Sequence, residues 1–180
     1  DVIDSLKMTF MGQIEARKGK WGLWSDLVYS DLGGTENGTS DFTVNGNPVN
    51  TNANLGLDMK TTAWSLAGIY NLASTPENTT DLLFGARMLD INETLNWSLA
   101  NSIPELPTRS GAASVNATNW DAIVGLKGRY YLGAERKWFL PYYADIGGGE
   151  SSLTWQVNAG VGYRFDWGSM FATWRYLDYD

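Results

Sequence analysis

From Ser152 to Phe165 the chain alternates without a break. Leu153, Trp155, Val157, Ala159, Val161, Tyr163 and Phe165 fall on one side, and Ser152, Thr154, Gln156, Asn158, Gly160, Gly162 and Arg164 on the other. A period of two marks a strand whose two faces meet different surroundings. The run exceeds the about five or six residues usual in globular sheets and matches the about 9–11 that a tilted strand needs to cross hydrocarbon. The alternation recurs at 6–17, where Leu6, Met8, Phe10, Gly12, Ile14 and Ala16 oppose Lys7, Thr9, Met11, Gln13, Glu15 and Arg17. It recurs again at 121–132, where Ala122, Val124, Leu126, Gly128, Tyr130 and Leu132 oppose Asp121, Lys127 and Arg129. Weaker runs at 21–31, 59–72, 80–97, 138–147 and 169–179 bring the expected number of strands to eight.

The connections alternate in length. Short turns are expected at Lys18–Lys20, Ala73–Thr79, Gly133–Lys137 and Asp166–Gly168, and long polar loops at 32–58 and 98–119, with a Gly-rich one at 147–151. Aromatic residues gather near both strand ends: Trp21, Tyr130, Tyr131, Trp138, Phe139, Phe165 and Trp167 near the short turns, and Tyr29, Trp97, Trp120, Trp155, Trp174 and Tyr176 towards the loops. Amphipathic rings favour the headgroup boundary, so these two bands and the loop asymmetry predict an antiparallel up-and-down transmembrane β-barrel. The competing reading is the ordinary aromatic core of a soluble β-protein.

Composition narrows the function classes. With 180 residues, 20 Gly, 13% aromatic and 18% charged residues, a single all-β domain over 1–180 is expected. There is no Cys and no His, which removes thiolate metal sites and the commonest general base. A net charge of −7 argues against a nucleic-acid partner. No apolar run approaches the roughly 20 residues of a membrane helix, but a barrel strand is apolar on one face only and escapes that criterion. No enzyme activity, cofactor or metal is expected.

Two passages, DLLFGARMLDINETLNWSL at 81–99 and the stretch from WDAIVGLKGRYYLG through WFLPYYADIGGGESSLTWQVNAGVGYRF to WRYLDYD at 120–180, are supported by MGQIEARKGKWGLWSDLVYSDLG at 11–33. Together they resemble a largely uncharacterised proteobacterial family of outer-membrane β-barrel proteins, related to the outer-membrane protein A-like barrels. The resemblance implies an integral protein of the Gram-negative outer membrane and supplies no catalytic residues. Short turns joining the strands in pairs place both ends of the set beside the long loops, and Asp180 is not a terminal aromatic residue. Family members continue with further strands, which implies an internal portion of a barrel of ten to twelve strands.

The polar faces carry Lys7, Glu15, Arg17, Asp26, Arg87, Asp121, Lys127, Arg129, Asp145, Arg164 and Arg175. Unpaired charges inside a small barrel are costly, so these residues are expected to form a salt-bridged lumen network. Leu153, Trp155, Val157, Ala159, Val161 and Tyr163 are expected to face lipid. A packed polar interior and a narrow, anion-preferring pore are both compatible with that lining.

Asp121 and Asp145 could form an acid–base pair, though partners for nearby cations are the commoner role. Gly147 to Glu150 lacks the helix and Lys-Ser/Thr of a phosphate loop. Asp31, Glu36, Asp41 and Asp58 could offer oxygen ligands to a hard cation, but at irregular spacing, so no metal site is assigned. The expected partners are outer-membrane lipid and lipopolysaccharide, with no protein partner identifiable. The alternative function is a soluble ligand-binding barrel of the lipocalin kind, with the apolar faces turned inwards.

Overall fold

The computed structural model describes the backbone of residues 6–44, 47–101 and 108–180; the side chains of Leu6, 40–51 and 101 lie outside the described set. The strands are β1 (Leu6–Lys18), β2 (Trp21–Val44), β3 (Asn47–Ser74), β4 (Asn78–Asn101), β5 (Arg109–Leu132), β6 (Trp138–Gly149), β7 (Thr154–Arg164) and β8 (Ser169–Tyr179). They form one sheet in sequence order, with β1 and β8 as its terminal strands. β7 pairs antiparallel with β8 from Thr154↔Tyr179 to Arg164↔Ser169. β5 pairs with β6 from Asp121↔Gly149 to Leu132↔Trp138. Each strand therefore returns beside its predecessor, the up-and-down connectivity that short turns dictate. Two of those turns depend on glycine in the left-handed region, Gly19 at φ 63° and Gly133 at φ 72°.

The expected long loops are largely strand. β2 continues to Val44, β3 begins at Asn47, β4 runs to Asn101 and β5 starts at Arg109, so most of 32–58 and 98–119 belongs to extended hairpins. The Asn, Ser and Thr content there read as loop because it shows no apolar face. A ladder surrounded by water on both sides has no need of one.

The chain divides into two compact units. The first draws on residues 1–11, 28–62 and 89–118. Within it, β5 is exposed almost throughout from Arg109 to Thr118. Its polar links include the Lys7–Asp58 ion pair and Thr118 Oγ1 donating to Asp90 at 2.6 Å.

The second unit draws on residues 12–27, 63–88 and 119–180. One face of its sheet is buried and carries Trp24, Ala67, Ile69, Leu83, Ile123 and Tyr143 as an apolar cluster. The same face carries Asp26, Ser65, Asp81, Arg87, Asp121, Asp145, Thr154 and Gln156, all buried. The opposite face presents large apolar side chains outward, among them Leu66, Phe84, Val124, Trp138, Ile146 and Trp174. This sheet is curled. Its inner face brings β1 against β5 through Glu15 and Lys127, and β8 against β2 through Arg175 and Asp26.

Candidate functional site

The interior of the second unit concentrates the polar chemistry of the chain. Alternation places Arg87 inward from β4 and Asp145 inward from β6, and both side chains are fully buried as an ion pair. Arg87 also donates from Nε to Ser65 Oγ at 3.1 Å and from its terminal nitrogens to Tyr143 OH at 3.4 Å and Thr154 Oγ1 at 3.5 Å. A guanidinium offers five donors in a planar fork, so neutral acceptors on β3, β6 and β7 complete what one carboxylate cannot supply. Beside it, Arg175 donates to Asp26 through two bonds of 2.7 and 2.9 Å.

A second group lies towards the short turns. Arg17 grips Asp81, with one bond at 3.0 Å and a closer second one, and also reaches Glu15. Asn71 Nδ2 donates to Asp81 at 2.8 Å, and Lys127 pairs with Glu15 while its ammonium lies 5.2 Å from the Trp24 ring centre. These groups border a cavity of about 610 Å³, whose lining also includes Tyr142, Asn158 and Thr173. Tyr142 OH donates to Thr79 O at 3.1 Å and shares a 2.6 Å hydrogen bond with Thr80 Oγ1.

The remaining expected residues take different positions. Asp121 accepts from Ser151 N at 2.9 Å and Ser151 Oγ at 2.7 Å, while Glu150 accepts from Trp120 N at 2.7 Å. The Gly147–Glu150 run is thus part of a closed β6–β7 hairpin, and Asp121 and Asp145 each serve a separate partner. Arg129 and Arg164 are exposed, and their guanidinium groups lie over the rings of Phe139 and Tyr131 at 5.1 and 5.8 Å. Lys7 belongs to the first unit, half-exposed beside Asp58, and Asp31 lies 3.9 Å from Lys60. Glu36 is exposed, and the side chain of Asp41 falls outside the described residues. At the β5–β6 turn Lys137 donates to Glu135 at 3.1 Å, which raises the pKa of its ammonium above the ordinary lysine value.

On β7 the outward phase is exposed at Ala159 and Val161 and half-buried at Trp155, Val157 and Tyr163, with Leu153 exposed just before the strand, while Thr154 and Gln156 are sealed. Trp155 Nε1 donates to Asp178 at 3.1 Å and its ring packs 5.0 Å from Tyr176. Towards the turns, Trp138 meets Tyr163 at 5.0 Å and Phe165 stacks on Trp167 at 5.3 Å. The ten residue steps from Trp155 to Phe165 run about 33 Å in extended conformation, which at a tilt of roughly 40° rises about 25 Å.

Periodicity alone did not single out Trp24, Asp81, Tyr143 or Ser151. Asp81 shares the phase of Leu83, Arg87 and Leu89, so its inward position was readable, but its partnership with Arg17 depends on the curl of the sheet. No protein-family model matches the chain, and comparison with curated proteins finds no match.

Proposed function

We propose that the chain is an integral β-barrel protein of a Gram-negative outer membrane, with a filled interior and a structural rather than conducting role. One observation carries this reading. The charged pair Arg87–Asp145 has no exposed surface, whereas Trp138, Val124, Ile146, Val161 and Trp174 stand outward at 45–64% exposure. Water as the surrounding solvent would favour the reverse arrangement, with apolar groups sequestered and charges hydrated. Hydrocarbon as the surrounding solvent favours this one.

At the tilt of roughly 40° usual for such barrels, the aromatic pairs edging the outward band would stand about 25 Å apart in height, close to the apolar belt of an outer-membrane barrel. The filled interior argues against a through-pore: Trp24, Tyr143, Ile69, Leu83 and Ile123 pack together on the inner face, and the rings of Trp24 and Tyr143 lie 5.3 Å apart. Surrounding lipid is the partner this surface fits.

The decisive experiment refolds the denatured chain in the presence and absence of phospholipid vesicles. The expected result is a folded species that floats with the vesicles in a density gradient and resists urea extraction. A monomer that folds without lipid or detergent and stays in the aqueous fraction would instead establish a soluble barrel.

A further inference from the structure

The two ends of the second unit differ in charge. At the short-turn end Lys18 and Lys20 flank Gly19, and Arg136 and Lys137 occupy the β5–β6 turn. All four are exposed. The short turns also carry Glu77, Glu135 and Asp166, in a chain whose net charge is −7. Among the described residues, Lys137 alone of the four forms an ion pair, with Glu135. At the other end of the same unit stand Asp121, Glu150 and Asp178, without a comparable basic group.

We propose that this basic collar binds the headgroups of anionic phospholipids in the leaflet next to the short turns. The inference rests on the membrane reading above and adds the headgroup class and the side. The geometry favours lipid over a soluble acidic polymer, because the cations begin where the outward aromatic band ends. Trp138 is 53% and Trp167 77% exposed, and the band includes the Trp138–Tyr163 pair and the Phe165–Trp167 stack. A partner matching that sequence of surfaces carries its negative charge immediately above its hydrocarbon. Leu132, Gly133, Glu135, Lys137, Trp138 and Tyr163 also border a shallow groove of about 260 Å³, where apolar ring faces adjoin the Lys137 ammonium and its partner Glu135. Rings anchor at the headgroup level and Lys or Arg beside them adds attraction to anionic lipid.

The test reconstitutes the full chain into phosphatidylcholine vesicles containing phosphatidylglycerol and measures the motionally restricted fraction of spin-labelled lipid of each class. Phosphatidylglycerol is expected to associate about fivefold more strongly than phosphatidylcholine, the factor one added basic residue contributes beside an anionic surface. The preference should collapse at roughly 1 M salt, where the screening length is about 3 Å. In the variant K18Q/K20Q/R136N it should fall towards equality, with folding checked by the heat-dependent gel shift of the barrel; Asn suits the left-handed φ of 50° at Arg136.

Equal association of both lipids with the wild type, or an undiminished preference in the folded variant, overturns the proposal. So does binding of soluble polyglutamate without lipid selectivity. If neither lipid shows a restricted population and the protein does not float with vesicles, the membrane reading itself has failed.

Discussion

Arg175 on β8 and Asp26 on β2 are joined by two hydrogen bonds, although six places along the strand order separate β2 from β8. Both side chains are largely buried, at 15% and 3% exposure. The pair ties the two ends of that order together across the inner face. Removing one partner leaves a buried charge without compensation, so Asp26→Ala is expected to destabilise the fold by about 3–5 kcal/mol. Asp26→Ala with Arg175→Met should recover part of that loss, because the double variant buries no lone charge. Urea titrations in lipid vesicles measure both; a double variant no better than the single one would count against the pair.

Val157 makes the complementary point on the outward face. It is the fourth of the eleven residues of β7, opposite Tyr176, and its neighbours Gln156 and Thr154 are sealed inside. Val157→Arg therefore places a cation on the outward face two residues inside Trp155, at an expected cost in lipid below the about 2–4 kcal/mol of a midplane site. The charge-neutral Val157→Thr should cost much less. Similar stabilities for the two variants would show that this face meets water.

The turns offer a test of backbone conformation alone. Gly19 and Gly133 occupy positive φ with no other group within 4 Å of a notional Cβ, so a substitution there meets strain rather than a clash. Ala at either site is expected to lose roughly 1–2 kcal/mol, and Asn less, because Asn visits the left-handed region more readily. Gly128 behaves differently: a Cβ there would run into Thr79 O and Tyr142 OH. Gly128→Ala and Gly128→Asn should both be harmful, with Asn the worse, reversing the order seen at the turns in the same denaturation assay.

The alternation of β7 could be read from the sequence, because a period of two leaves only two assignments and Gln156 and Val157 cannot both be satisfied by the same surroundings. The eight strands and their short turns were equally readable. Partner choice was not. Arg17 finds Asp81 three strands away, and Asp121 is taken by Ser151 across a hairpin, because contacts across an inner face depend on strand stagger and curl, which alternation does not encode. The extended hairpins were obscured for a related reason. Residues such as those at 32–44 need no apolar face, so the signal that marks a strand in an asymmetric environment is missing there.

The apolar cluster inside the second unit bears most directly on conduction. Trp24 is 2% exposed, its ring lies 5.3 Å from Tyr143, and Ile69, Leu83 and Ile123 complete the same cluster. The cavity of about 610 Å³ borders this cluster, since Trp24 and Tyr143 are among its lining residues. Beside that cavity the cluster fills the inner face with side chains, as side chains generally fill the interiors of barrels of about eight strands. Planar-bilayer recordings of the wild type should therefore show no unitary currents. Trp24→Ala should cost about 3–5 kcal/mol through the space it leaves, and Trp24→Ala with Tyr143→Ala should extend the cavity towards the Arg87–Asp145 pair and admit brief ion passage. Resolvable unitary currents in the wild type, unchanged in the double variant, would show that ions pass by a route these side chains do not block.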